Sequence, residues 1–176
     1  MRFSVFKAMS DQEAQEYLNE FLAFGKDRGM TTLEENLHFT VDLDFTIELL
    51  PAVFKDLVPI LKTIPRDPDP NVPEFIRNND DYRKGLFDFD DTSNTIVLAA
   101  AYYLGETFVR RFPQLKWATG NPDYLEGNMP VVTGFKFKKE LAPILISENI
   151  FRGAVSGSDD DTSIDTAIEV WSTRFF

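Results

Sequence analysis

Residues 92–137 read TSNTIVLAAAYYLGETFVRRFPQLKWATGNPDYLEGNMPVVTGFKF. From Ile96 to Leu104 every direction of a helix would be apolar, so a helix here belongs inside a core and packs on more than one side. Ser93 or Asn94 opens it, and Pro113 sets its end at Phe112. Gly105 is costly inside a helix relative to Ala, and a small residue there lets another backbone come close. The last two turns, with Arg110 and Arg111, are charged and should reach the surface. Beyond the helix, Gly120-Asn121-Pro122 and Glu126-Gly127-Asn128 are turn signals between strand-like pieces at 115–119 and 129–137, with a third strand expected at 143–147. Helices ahead of a compact antiparallel meander give an α+β fold. The expected architecture is a central buried helix, with N- and C-terminal helices packed on a small, mainly antiparallel sheet of three to four strands.

Towards the N-terminus, residues 1–6 look extended and suit a short edge strand. Ser10 and Glu13 then form a capping box, and Ala14, Tyr17, Leu18, Phe21 and Leu22 follow helical spacing until Gly25 or Gly29. Residues 33–45 read two ways. Phe39, Val41, Leu43 and Phe45 alternate as a strand would, yet a loop capped by Asp44 or Thr46 suits them equally. A helix over 46–63 places Pro51 in its first turn and Pro59 where it should kink or loosen. The run PRDPDPNVP at 65–73 is extended, and a long irregular loop continues to Asp91. Towards the C-terminus, residues 148–155 suggest a short helix capped by Ser147, residues 157–161 a solvated loop, and Thr162 or Ser163 the cap of a last helix. Composition does not change across the chain, so residues 1–176 read as a single globular domain.

Hydrophobic residues make up 43% of the 176 and Phe alone accounts for 17, a core-forming composition. A net charge of -11 argues against nucleic acid and against anionic membranes, and favours a basic protein partner. The chain has no Cys, which excludes disulfides, thiolate metal sites and a cysteine nucleophile, and fits a reducing cytoplasm. No apolar stretch near the start resembles a signal peptide, and the longest apolar run, 95–105, is about half a bilayer span.

The chemistry-bearing residues are few. His38 is the single histidine, so a multi-His metal site is excluded and a structural role is expected. Asp88, Asp90 and Asp91 suggest a calcium loop, but a loop starting at Asp88 would have Ser93 and Ala99 where Gly and Glu belong; helix capping by Asp91, Thr92, Ser93 or Asn94 explains them instead. Asp159, Asp160 and Asp161 precede a helix N-terminus, where negative charge is favourable. No metal and no cofactor is expected. Glu106 follows Gly105 on the most apolar helix and has Arg110 one turn on; an ion pair is the leading reading, a catalytic acid the second. Trp117, Tyr124 and Trp171 either pack or flank a pocket.

The piece Ala101-Tyr102-Tyr103-Leu104-Gly105-Glu106, then Trp117, Gly120 and Asn128-Met129-Pro130-Val131-Val132, resembles a loose group of uncharacterised bacterial proteins. They share a Y-L-G-E helix followed by W- and P-V-containing strands, and Leu43-Asp44-Phe45-Thr46-Ile47-Glu48 looks like the same group. Some of these resemble immunity components of toxin systems. The resemblance implies an immunity-type protein that neutralises a basic toxin, without a catalytic residue to transfer. The expected function is therefore non-enzymatic binding of another protein, as monomer or homodimer, through Asp80, Asp81, Asp88, Asp90 and Asp91, with Asp159–Asp161 as a second patch. The alternative is a small-molecule-binding or hydrolytic domain centred on Glu106 and lined by Trp117 or Tyr124.

Overall fold

A computed structural model describes residues 4–39, 42–124, 126–157 and 163–174. The architecture is α+β, with a long central helix and two small antiparallel ribbons. In chain order the helices are α1 (Ser4–Lys7), α2 (Asp11–Phe24), α3 (Met30–Asn36), α4 (Leu50–Leu57), α5 (Glu74–Arg77), α6 (Asp80–Lys84), α7 (Asp91–Arg111), α8 (Pro143–Ser156) and α9 (Ser163–Glu169). The strands are β1 (Thr63–Pro65), β2 (Phe87–Phe89), β3 (Lys116–Thr119) and β4 (Pro130–Thr133).

Helix α7 is the axis of the molecule. Ile96, Val97, Ala99, Ala100, Ala101, Tyr102, Tyr103, Leu104 and Phe108 are all buried, and Arg110 and Arg111 emerge at the surface as expected. A fully buried Val, Leu, Ile or Phe contributes about 1.5–3 kcal/mol, so Ile96, Val97, Leu104 and Phe108 far outweigh the roughly 1 kcal/mol that Gly105 costs. One side of α7 packs with α3, α4 and α8 through Leu33, Leu50, Phe54, Leu57 and Phe151. The other side packs with α1 and α2 through Phe6, Phe21 and Tyr102.

The helix beginning at Asp11 does not stop at a glycine. Gly25 and Gly29 are right-handed helical, bound a single wide turn, and lead directly into α3. Their smallness serves packing: a Cβ on Gly25 would lie 2.1 Å from the Tyr102 ring. Glycines that read as caps are contact points against α7.

Other expectations change as well. Of the edge strand expected over 1–6, residues 1–3 lie outside the described residues, and Ser4–Lys7 is a helical turn. Residues 37–39 and 42–46 form no strand, which leaves the loop reading of that segment. Over 46–63, α4 is flanked by tighter turns at Ile47–Leu49 and Val58–Ile60, Pro51 lies in the first turn of α4, and the loosening falls at Pro59. The excursion 65–91 is not irregular: it holds α5, α6 and β2, and β2 pairs with β1 in the register Thr63↔Phe89, Pro65↔Phe87. Strands β3 and β4 pair as Lys116↔Thr133 to Thr119↔Pro130. Leu141 adds a single bridge to Val132, and the strand expected at 143–147 is instead the start of α8, with Pro143 in its first turn. Ser147 is therefore inside that helix, not its cap. Asp159–Asp161 and Thr162 lie outside the described residues.

Candidate functional site

Glu106 is one turn before Arg110 on α7, and helical spacing brings them together: Arg110 Nε donates to Glu106 Oε1 at 2.9 Å. The second oxygen, Oε2, accepts the Trp117 Nε1–H at 3.1 Å. The Glu106 side chain is 14% exposed. Trp117 itself stacks parallel to Tyr102, with centroids 6.3 Å apart, and meets Phe21 edge-on. The Arg110 guanidinium lies 3.7 Å from the centroid of the Phe45 ring. Burial pushes the hydroxyls of both Tyr102 and Tyr103 up to about 12, so neither serves as a base near neutrality. This centre locks the start of β3 to α7 and leaves neither Glu106 oxygen without a partner.

The acidic residues of the excursion separate into two kinds. Asp88 is 3.3 Å from Arg152 Nη2 and 3.6 Å from Arg66, tying β2 to α8 and to the chain after β1. Asp90 is the N-cap of α7: its Oδ1 accepts the Ser93 N–H at 2.7 Å, and these bonds hold its carboxyl below the usual range. The cap is thus Asp90, one residue before the four candidates read from the sequence. Asp80 and Asp91 are exposed, and Asp81 follows Asp80 in α6. The five do not form one patch of free carboxylates, because Asp88 and Asp90 have internal roles.

Two clefts bring other residues together. The first, about 420 Å3, runs along α1 and α2. Val5, Ala8, Met9 and Tyr17 supply its apolar lining, with Val5 and Ala8 themselves exposed, and Glu13, Glu16 and Glu20 supply its carboxylates. Glu13 is committed to the Ser10 capping box, whose hydrogen bonds lower its pKa. Glu16 and Glu20 face solvent. The same continuous helix carries exposed Glu34 and Glu35, and Glu35 shares a shallow depression with Asp91 and Arg28. Sequence reading missed this face; its signal was a helix with Asp11, Glu13, Glu16 and Glu20 and no Lys or Arg.

The second cleft, about 560 Å3, collects Asp123, Tyr124, Glu126, Phe137, Lys138, Lys139, Glu140 and Trp171. Of the aromatic trio read from the sequence, Tyr124 and Trp171 meet here and Trp117 does not. Phe137 is 79% exposed and Tyr124 47%. The missed signal was the run Lys136-Phe137-Lys138-Lys139, a basic-aromatic island in an acidic chain.

His38 is exposed on the loop after α3, where its backbone N–H donates to Asp56 Oδ2 at 2.6 Å and its Nδ1 lies 3.4 Å from Oδ1. Among the described residues no group of His, Asp and Glu is placed to hold a metal ion, and no helix is long and apolar enough to cross a membrane. Compared with protein-family models, curated proteins and solved structures, the chain has no significant match.

Proposed function

We propose that this chain is a non-enzymatic protein-binding domain that receives a basic, amphipathic segment of a partner protein in the groove of α1 and α2. The observation that carries it is the combination at one place of apolar side chains, Val5, Ala8, Met9 and Tyr17, with glutamates. Apolar side chains of the partner pack on the first set, and its Lys or Arg residues meet Glu16 and Glu20. The charge of -11 steers such a partner over longer range, and exposed Glu34, Glu35, Asp80 and Asp91 add to that field. A basic toxin held by an immunity-type protein is the specific form of this reading, and it rests on the resemblance of the segment 101–132. A hydrolytic site at Glu106 has less support, since Arg110 and Trp117 occupy both carboxylate oxygens.

A synthetic helical peptide with Lys on one face and Leu on the other is a suitable probe, with a Glu/Leu peptide as control. The Lys peptide should bind at low salt and the control should not. Reversing Glu16 and Glu20 to Lys, both exposed, should leave the fold intact and weaken binding about tenfold, or about 1.4 kcal/mol. Undiminished binding to the reversed variant at low salt would remove the groove as the docking site.

A further inference from the structure

The second cleft is built from three separate parts of the chain, which bring together the exposed rings of Tyr124 and Phe137 and the half-buried ring of Trp171. Tyr124 comes from the turn after β3, Phe137 from the turn after β4, and Trp171 from the wide turn that follows α9. We propose that this cleft binds a small anion carrying a planar ring, with a mononucleotide as the best-fitting chemistry.

The first argument is the conformation of Phe137. Its φ is +59° and that of Lys138 is +53°, two consecutive left-handed residues neither of which is glycine. Such backbone is strained for L side chains, and strain of this kind concentrates at ligand-binding positions. Here its effect is to turn a phenyl ring outward, 79% exposed. Among the described residues little covers that ring, which leaves its face open to a ligand with a flat face.

The second argument is charge. Lys136, Lys138 and Lys139 form no ion pair among the described residues, although acidic side chains outnumber basic ones in the chain. Lys138 and Lys139 line the cleft and suit a phosphate or carboxylate. Glu140 also lines the cleft and is engaged within the chain, its Oε2 accepting the Asn121 N–H at 3.0 Å and joining the two turns. Asp123 and Glu126 remain as acceptors for the amino or hydroxyl donors of a ring and its sugar.

The third argument is preformation. The turn bearing Tyr124 is closed by Gly127 N–H to Tyr124 O, Asn128 N–H to Gly120 O and Gly120 N–H to Met129 O. Asn128 Nδ2 anchors it further on Phe6 O and Met9 O. Trp171 is set edge-on against Phe135 at 5.0 Å. A volume of about 560 Å3 suits one small ligand, and the two lysines of the lining suit one phosphate group, not a polymer backbone. The expectation that the chain does not bind nucleic acid is therefore compatible with this site.

The test uses the intrinsic fluorescence of the full chain, which has only Trp117 and Trp171. Adenosine monophosphate should quench Trp171, and Trp171→Phe should abolish the quench while Trp117, which lies outside the cleft, still emits. Adenosine lacks the anion and ribose 5-phosphate lacks the ring, so each should bind at least about tenfold more weakly. Lys138→Ala with Lys139→Ala should weaken binding by a similar factor at unchanged near-ultraviolet circular dichroism. Phe137→Gly relieves the left-handed strain, so it should raise Tm while lowering affinity. The proposal is overturned if adenosine monophosphate at millimolar concentration leaves Trp171 unquenched, or if ribose 5-phosphate binds as tightly. It is equally overturned if the lysine variants bind as well as the parent chain.

Discussion

Gly105 shows how one residue can be read correctly as a close contact and still conceal its neighbour. An added Cβ would lie 2.2 Å from Trp117 Cη2 and 2.9 Å from Pro143 Cγ, so the partner is an indole and a proline ring where an approaching backbone was expected. The indole cannot swing away, because Tyr102 stacks on it, Phe21 meets its edge and Glu106 accepts its N–H. Gly105→Ala therefore sets two effects in opposition. Helix propensity gains about 1 kcal/mol, and overpacking a fixed ring costs about 1–3 kcal/mol or more. The clash should win, with urea unfolding showing a net loss of up to about 2 kcal/mol. A more stable variant would mean that the indole is free to shift. The Glu106–Arg110 pair was legible because helical spacing alone sets it, whereas the Trp117 bond spans a chain reversal that no local pattern encodes.

Helix ends illustrate the same division between local and tertiary information. The Ser10–Glu13 capping box is written in four consecutive residues and is present as read. The α7 cap is Asp90, and its bonds to Ser93 lower its pKa, as the Ser10 bonds lower that of Glu13. A carboxyl whose pKa is lower folded than unfolded stabilises the fold above the unfolded value, and that stabilisation is lost as pH falls through the folded one. Acid unfolding should thus have a contribution from both caps below the ordinary carboxylate range. Asp90→Asn keeps an acceptor for Ser93 and should flatten that limb with little change in Tm at neutral pH, while Asp90→Ala should lower Tm at neutral pH. An identical acid limb for parent and Asp90→Asn would show that the cap does not titrate with folding. Elements set by distant packing were harder to read. Pro143-Ile144-Leu145-Ile146 has the β-branched character of a strand, but burial of Ile144 and Phe151 against α7 draws it into α8. Phe87-Asp88-Phe89 is too short to declare itself a strand without β1 beside it.

In the folded chain, the excursion 65–91 is attached to the core by the buried rings of Phe87 and Phe89 and by a polar knot beside them. Arg152 on α8 donates from Nη1 to Phe87 O at 2.7 Å, pairs with Asp88 and Glu148, and lies over the rings of Phe87 and Phe89. Glu148 is only 2% exposed, so losing Arg152 takes the ion-pair partner from a buried carboxylate. Breaking such a pair typically costs about 3–5 kcal/mol, a large part of the 5–15 kcal/mol that holds a domain folded. Arg152→Met should therefore lower stability by about that amount in urea. The double variant Glu148→Leu, Arg152→Met removes both charges and should recover most of the loss. Arg152→Lys retains one charge yet cannot reach Phe87 O, Asp88 and Glu148 together. In that variant amide exchange should quicken at Thr63, Ile64 and 87–89, where β1 and β2 pair, before it changes in α7. Uniform acceleration across both would mean that excursion and core open as one unit, and the knot would then be a support of the entire fold.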